Sequence, residues 1–123
     1  MKLSSNVHFL LEAQIQFKIM HWQTKGYARH NAFGMIYDSL DDTIDKFVES
    51  AMGKYGRFTL SDEDKTLKLE NLTEINLINF VKTFKNNLID ISKDLKDEDT
   101  DLMNIRDEML GDTNKLSYLL TLE

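Results

Sequence analysis

Several side chains that bind metal ions in proteins lie along one edge of the second predicted helix. At 100° per residue, one arc between the apolar face and the fully polar face holds His30, Asp38, Asp41, Asp45 and Glu49. The four carboxylates repel one another, and a bound cation would relieve that repulsion. An ordinary acidic edge in contact with water is the alternative, and the spacing alone leaves both interpretations open.

A second histidine lies near the end of the preceding predicted helix. His21 is at the border of the apolar residues of that helix, beside Gln14. A single histidine in such a place is more often a hydrogen-bonded core residue than a ligand, so position alone does not decide its role. Imidazole and carboxylate ligands together suit iron, or a related first-row metal such as zinc, better than calcium or copper(I). His8 has no acidic neighbours at helical spacing, and we expect it to be structural or exposed.

Other kinds of site are excluded by what the sequence lacks. There is no Cys, so disulfides, zinc–thiolate sites and thiol chemistry are excluded. The sequence also has no Glu-x-x-His pair, no His-Glu-x-x-His motif, no phosphate-binding glycine-rich loop and no Gly-x-Ser-x-Gly turn. A di-iron site built inside a single bundle from paired Glu-x-x-His motifs is therefore not available.

Length and charge restrict the organisation and the partners of the chain. At 123 residues we expect a single domain, residues 1–123. The net charge is −6 and the lysines are scattered, so binding of nucleic acid through its phosphates is not expected. Residues 1–11 do not resemble a signal peptide, and no apolar run approaches the roughly 20 residues that span a bilayer. We therefore expect a cytoplasmic protein that does not enter a membrane.

Helical periodicity predicts the elements that position these side chains. Zero Pro and five Gly permit long helices, which we expect at about 3–24, 28–52, 73–95 and 100–120. Gly53 and Gly56 are the expected exits of the second helix. A short linking helix is expected within 60–69, because Ser61-Asp62-Glu63-Asp64 fits a capping box. The predicted fold is an all-α four-helix bundle with a short helix in its second connection.

The first predicted helix has two apolar stripes on opposite sides. One stripe consists of Leu10, Ala13, Phe17 and Met20, and the other of Leu11, Ile15, Ile19 and Trp22. A helix on the surface of a monomer needs only one apolar face. The second stripe therefore predicts contact with a neighbouring subunit, and hence a homo-oligomer.

The stretch 17–56 resembles the Dps branch (DNA protection during starvation) of the ferritin-like proteins. His21-Trp22-Gln23-Thr24-Lys25-Gly26 is similar to the His-Trp-x-x-x-Gly segment that ends the first helix in that family. After a shorter loop, His30 is similar to the family's second ligand histidine, and Asp45 and Glu49 fall at its Asp-x-x-x-Glu pair. The segments 100–102 and 115–119 are similar to parts of its last helix.

This resemblance implies a ferritin-like bundle that assembles on two-fold dimers into a cage, usually of twelve subunits. It implies iron sites at the two-fold interfaces, with His21 and His30 from one subunit facing Asp45 and Glu49 of the partner subunit. The implied function is a ferroxidase that oxidises Fe(II) with peroxide or oxygen, stores the ferric product and protects against peroxide. Trp22 corresponds to a tryptophan beside the site, where it would donate electrons or simply pack in the interface.

Some features depart from the family's pattern. Gly34 occupies the position, one turn after His30, at which family members usually carry another carboxylate. The chain is also shorter than typical members and has no basic N-terminal tail. The alternative function is a structural or interaction protein that keeps the bundle without its chemistry. Asp97, Asp99 and Asp101 resemble the acidic residues of the family's iron-entry pores, with ordinary capping of the last helix as the alternative.

Overall fold

The computed structural model describes residues 2–122, and in this part of the chain all regular structure is helical. The four α-helices are α1 (Leu3–Gln23), α2 (Tyr27–Tyr55), α3 (Glu74–Asp90) and α4 (Thr100–Leu119). The predicted all-α class is confirmed. Of the two predicted exits of α2, Gly53 is wrong, because the helix continues to Tyr55. Gly56 is confirmed, and its φ of 87° is a left-handed conformation that favours glycine.

The four helices pack side by side in the order α1, α2, α4 and α3. Contacts join α1 to α2, α2 to α4 and α4 to α3. The ring is closed on the last side by Phe17 of α1, which meets Phe80 and Phe84 of α3 edge to face. The first turns of α2 and α3 meet through Arg29 and Glu74 at 2.6 Å, so α2 and α3 run in the same direction. The connection between them must therefore return along the whole bundle.

The core is formed by the apolar faces that periodicity predicts. On α1 and α2 its largest fully buried members are Phe17, Phe33 and Phe47, and on α3 and α4 they are Phe84, Leu88 and Met109. Tyr37 of α2 is only half-buried. It lies at the outer border between α1 and α2. Within residues 2–122, none of the helices is both long enough and apolar enough to cross a membrane.

The long connection between α2 and α3, residues 56–73, is called the crossover segment below. Its regular structure is a single 3₁₀ turn, Asp62–Asp64, so the short linking helix predicted within 60–69 is present but covers only three residues. Most polar contacts of the segment go to α1, while Ser61 with Asp64 and Lys65 with Asp62 pair within the segment at 2.7 and 2.8 Å. The contacts with α1 are Ser4 with Asp64 at 2.8 Å, His8 with the Thr66 carbonyl at 2.7 Å, Glu12 with the Lys68 N–H at 2.9 Å and Gln16 with the Glu70 main chain at 2.8 and 2.9 Å. His8 therefore has a structural role, as expected. The expectation that it lacks acidic neighbours is wrong, because its ring nitrogens lie 3.5 Å from a Glu12 carboxylate oxygen, one helical turn on, and 3.9 Å from Asp64.

The α-helical part of α3 ends at Asp90, earlier than the predicted end near residue 95. Ile91–Asp94 continues as a 3₁₀ turn. Arg106 of α4 donates from one guanidinium nitrogen to the carbonyls of Leu88 and Ile89 at 3.0 and 3.1 Å. Because the Arg106 side chain takes these carbonyls, the last turn tightens without leaving them unpaired.

A candidate metal site on the outer face of α1 and α2

The two histidines predicted as ligands lie face to face. His21 is in the last turn of α1 and His30 in the first turn of α2, and the tight connection between the helices brings their rings together. The ring centroids are 3.8 Å apart and the planes differ by 21°. Nδ1 of His21 lies 2.6 Å from the His30 carbonyl oxygen, and Nδ1 of His30 lies 2.8 Å from the His21 carbonyl oxygen.

These reciprocal contacts determine where the protons lie. A carbonyl oxygen only accepts hydrogen bonds, so each Nδ1 must be protonated and donate. In the neutral ring the lone pair is then on Nε2, and within residues 2–122 neither Nε2 has a hydrogen-bond partner. Histidines that bind metals commonly donate their other ring N–H to a backbone carbonyl in this way. Both rings are thus held in the tautomer that binds a divalent metal through Nε2.

Gly34 provides the space that this stacked pair occupies. It lies on α2 one turn after His30, directly beneath the ring of His21. A Cβ atom added at Gly34 would lie 3.1 Å from Cε1 and 3.2 Å from Nδ1 of His21. The carboxylate common at this position in the resembled family is therefore replaced here by the His21 ring itself.

The two predicted carboxylate ligands lie far from the histidines within one chain. Asp45 and Glu49 are exposed on α2, and at 1.5 Å per residue they lie about 22 and 28 Å along the helix from His30. Within residues 2–122 of one copy, no three His, Asp or Glu side chains come close enough to hold a metal ion. One copy therefore brings together two of the four predicted ligands, His21 and His30, but leaves Asp45 and Glu49 apart from them.

The acidic strip of α2 is exposed in a single chain. Asp38, Asp41, Asp45 and Glu49 all face solvent. Asp41 accepts a hydrogen bond from the buried Gln14 amide at 3.2 Å. In the part of the chain described, none of the ion pairs involves these four carboxylates. One outer face thus has unpartnered imidazole nitrogens at one end and unneutralised carboxylates at the other.

Apolar and cationic groups lie between these two ends. Trp22 is 65% exposed, and Leu11 of the same stripe is 39% exposed. The ammonium group of Lys18 lies 4.5 Å from the ring centroid of Tyr37 and 5.5 Å from that of Trp22. Lys18 and Tyr37 were not predicted from the sequence to lie on this face. The available signal was helical spacing, because Lys18 is four residues before Trp22 and Tyr37 is seven residues after His30. In the second apolar stripe of α1, Leu11 and Trp22 are thus exposed, whereas Ile15 and Ile19 are half-buried.

The acidic group at the start of α4 has a different role from those predicted. Asp99 is 1% exposed and accepts hydrogen bonds from the Tyr55 hydroxyl at 2.5 Å, the Lys96 N–H at 2.9 Å and the Lys54 ammonium at 3.0 Å. The Tyr55 hydrogen bond is the main reason that the pKa of Asp99 falls to about 2. Its side chain caps no N–H of α4, so the capping interpretation is wrong for this residue.

Asp101 is also engaged within the chain. It accepts a hydrogen bond from the same Lys54 ammonium at 2.5 Å, which is the main cause that lowers the pKa of Asp101. Asp99 and Asp101 together fix the end of α2 to the start of α4. Of the three acidic residues that resemble pore residues, only Asp97 is left exposed with none of the ion pairs found in residues 2–122.

Comparison with known proteins gives two matches. Residues 21–120 match the family described as "Family of unknown function (DUF5856)". The chain is also similar to the "Uncharacterized 14.6 kDa protein in mobD-ri intergenic region" of Enterobacteria phage T4. The two are 33% identical over 123 residues, which cover 99% of this chain and 90% of the phage T4 protein. No solved structure matches the chain significantly.

Proposed function

The chain belongs to the family of unknown function DUF5856, and we propose that it is a ferritin-like protein that binds and oxidises Fe(II) between two subunits. The observation that carries this proposal is the pair His21 and His30. Their Nδ1 atoms are tied to each other's main-chain carbonyls, which leaves two Nε2 atoms as fixed acceptors on one surface.

A second copy is required to complete the ligand set. On α2, the point midway between His30 and the Asp45–Glu49 pair lies near Asp38. We infer that a two-fold axis passes close to Asp38, so that the histidines of each copy face the carboxylates of the other. The two sites of such a dimer are identical, and each is incomplete without the partner.

Charge and apolar surface support this arrangement. A two-fold axis at this place puts the acidic end of one face, which has no ion pairs among the described residues, against the imidazole end of the other. It also covers Trp22, which is 65% exposed in one copy, and Leu11 of the same apolar stripe. Assembly of such dimers into a dodecameric cage is the further step that we propose from the resemblance.

In this proposal ferrous iron is the substrate. The Nε2 atoms of His21 and His30 bind it, together with Asp45 and Glu49 of the partner subunit, and the carboxylates favour the additional charge of Fe(III). Two Fe(II) ions each give one electron to hydrogen peroxide, which takes up two protons and becomes two water molecules. Trp22, adjacent to His21, would donate an electron when only one Fe(II) is bound.

Trp22 also provides the readout of the experiment, because it is the only Trp of the chain. Titration with Co(II), which binds at Fe(II) sites and quenches nearby fluorescence, is expected to quench Trp22 in the native protein. Ferrous iron is expected to be oxidised faster by the native protein than by a His21→Ala, Glu49→Ala variant. The matched control is His8→Ala, Glu108→Ala, because His8 bonds to the crossover segment and Glu108 is exposed on α4. Equal oxidation rates in the two variants would reject the proposal.

A structural or interaction protein without metal chemistry is the second candidate. It is favoured by Gly34, which supplies no carboxylate at a position where the resembled family has one. Metal analysis of protein purified without chelators separates the two. Stoichiometric iron or zinc that disappears in the His21→Ala variant supports a metal protein, and native protein that stays metal-free after incubation with Fe(II) supports the structural role.

A further inference from the structure

The outer surface of α3 carries a second stripe that the bundle does not use. It consists of Ile75, Ile78, Lys82, Lys85 and Ile89, and is called the α3 stripe below. Its isoleucines are 73%, 40% and 47% exposed. The positions are alternately three and four residues apart, which is the spacing by which one helix packs against another. The buried seam of α3, formed by Leu77, Val81, Phe84 and Leu88, has the same spacing.

The α3 stripe borders a groove between α3 and the last turns of α4. The groove has a volume of about 290 Å³, with Ile78, Val81 and Leu120 on its apolar side and Lys82, Lys85 and Ser117 on its polar side. Val81 is only 4% exposed and forms the floor. An apolar floor with a polar rim along one helix is the shape that accepts a further amphipathic helix.

Two lysines in the middle of the stripe determine the charge of what fits. The ammonium of Lys85 lies 3.3 Å from the Ser117 hydroxyl, and within residues 2–122 neither Lys82 nor Lys85 pairs with a carboxylate. A helix that covers the stripe must therefore present acidic residues at its centre and apolar residues at both ends.

This requirement excludes the same stripe of a second copy. Because the lysines are central, either a parallel or an antiparallel pairing of two α3 helices brings lysine against lysine. The acidic faces of this chain do not fit either. On the described part of α2 the exposed large apolar residues are Tyr27 and Tyr55, at its two ends, and on α4 the only one is Tyr118.

We propose that the α3 stripe is a docking surface for an amphipathic helix of another protein, with apolar residues at both ends and acidic residues at its centre. Burial of the three isoleucines provides the affinity, and the two lysines select the partner and prevent self-association through α3. A flat anionic membrane fits less well, because the groove is concave and the stripe has only two cationic groups.

The probe for this proposal is a synthetic amphipathic helical peptide with leucine at both ends of its seam and two central glutamates. A control peptide has lysines in place of the glutamates. By fluorescence anisotropy, the native protein is expected to bind the acidic-centre peptide at least about tenfold more tightly than the control. A Lys82→Glu, Lys85→Glu variant is expected to reverse this preference. Equal binding of both peptides, or a preference that the variant does not change, would overturn the proposal.

Two further measurements separate the alternatives. A Lys82→Leu, Lys85→Leu variant is expected to self-associate beyond the native particle mass, because its stripe is apolar throughout. An unchanged mass would show that the lysines do not prevent self-association through α3. Vesicles of phosphatidylserine and phosphatidylcholine are expected not to bind the native protein. Vesicle binding that is lost in Lys82→Glu, Lys85→Glu would assign the stripe to a lipid surface instead.

Discussion

The imidazole of His21 lies flat on that of His30, and each Nδ1 donates to the main-chain carbonyl of the other residue. This reciprocal arrangement depends on three local features: the last turn of α1, the first turn of α2 and the absence of a side chain at Gly34. It leaves two Nε2 nitrogens without hydrogen-bond partners, among residues 2–122, at one end of a face whose carboxylates lie at the other end. The predictions below follow from this separation and from the contacts that hold α2 in place.

Two inactive variants are expected to restore activity when they are mixed. The His21→Ala, His30→Ala variant keeps the carboxylates, and the Asp45→Asn, Glu49→Gln variant keeps the histidines. In a mixed dimer one of the two sites then has all four ligands. With random exchange of subunits, about a quarter of the native rate of Fe(II) oxidation is expected.

Subunits are exchanged by unfolding the two variants together and refolding them. The control is each variant alone, taken through the same two steps. Neither is expected to oxidise Fe(II) faster than buffer. If the mixture is also inactive although mass measurement confirms mixed dimers, the shared site is rejected.

Cysteine cross-linking tests the position of the two-fold axis. The native chain has no Cys, so a single introduced thiol reacts without background. Asp38→Cys places a thiol near the proposed axis, where it would meet the same residue of the second copy. A disulfide-linked dimer is expected under mild oxidation, as measured by non-reducing electrophoresis.

The matched position is Asn114→Cys, which is exposed on α4 away from this face. It is expected to stay monomeric on the gel at the same protein concentration. Equal cross-linking of both variants would mean that α2 does not lie on a specific interface.

Alanine at Gly34 is expected to disturb the histidine pair. Gly→Ala inside a helix ordinarily stabilises by up to about 1 kcal/mol. At Gly34 this gain is opposed, because the new Cβ would lie 3.1 Å from a His21 ring that is held by stacking and by a hydrogen bond. We therefore expect little or no gain in the free energy of unfolding, measured with urea.

Gly111→Ala provides the comparison, because an added Cβ at this helical position of α4 meets nothing within 4 Å. It is expected to show most of the ordinary gain. Gly34→Ala is also expected to weaken the quenching of Trp22 by Co(II), which Gly111→Ala leaves unchanged. A full gain in stability at Gly34 with unchanged quenching would contradict this account.

The sequence predicts the helices well because their apolar spacing is a local property. The buried seam of α3 and the core face of α1 could be read from spacing alone, and their packing follows that reading. The path of the crossover segment could not be predicted, because most of its hydrogen bonds go to residues of α1 that are more than fifty positions away in the chain. The local capping signal in Ser61–Asp64 marks only the 3₁₀ turn Asp62–Asp64 and not the path of the rest of the segment.

The candidate site also has one part that follows from the local sequence and other parts that depend on distant residues. His21 and His30 flank a tight turn, so their proximity follows from local structure. The burial of Asp99 could not be predicted, because it depends on Lys54 and Tyr55 at the far end of α2. The pairing of the histidines with Asp45 and Glu49 depends on a second copy and stays a prediction.

Phe17 is expected to be a main determinant of stability. It is fully buried and contacts the rings of Phe33, Phe80 and Phe84, which joins α1 to both α2 and α3. Phe17→Ala is expected to lower the free energy of unfolding by about 3–5 kcal/mol, through lost burial and the cavity that remains. Tyr118→Ala, at a site 62% exposed, is expected to change it by less than about 0.5 kcal/mol. Similar losses for both would contradict the described core.

The Asp99 contacts predict a specific dependence of stability on pH. The pKa of Asp99 is lowered from 3.8 to about 2, chiefly by the Tyr55 hydrogen bond. A carboxylate with a depressed pKa in the folded state stabilises the fold above its unfolded pKa, and this stabilisation is lost as the pH falls through the folded value. Replacing Asp99 by Asn is therefore expected to destabilise the protein at neutral pH and to matter progressively less between about pH 4 and pH 2.

Urea unfolding of the native protein and Asp99→Asn across this pH range measures the effect. The difference between their free energies of unfolding is expected to be constant from about pH 7 to pH 5 and to shrink below pH 4. Asp97→Asn, at the exposed neighbouring carboxylate, is expected to stay close to the native protein throughout. At about pH 2.5 the native Asp99 carboxylate is itself beginning to take up its proton. If Asp99→Asn is still fully destabilising at that pH, the charge of Asp99 does not hold α2 to α4.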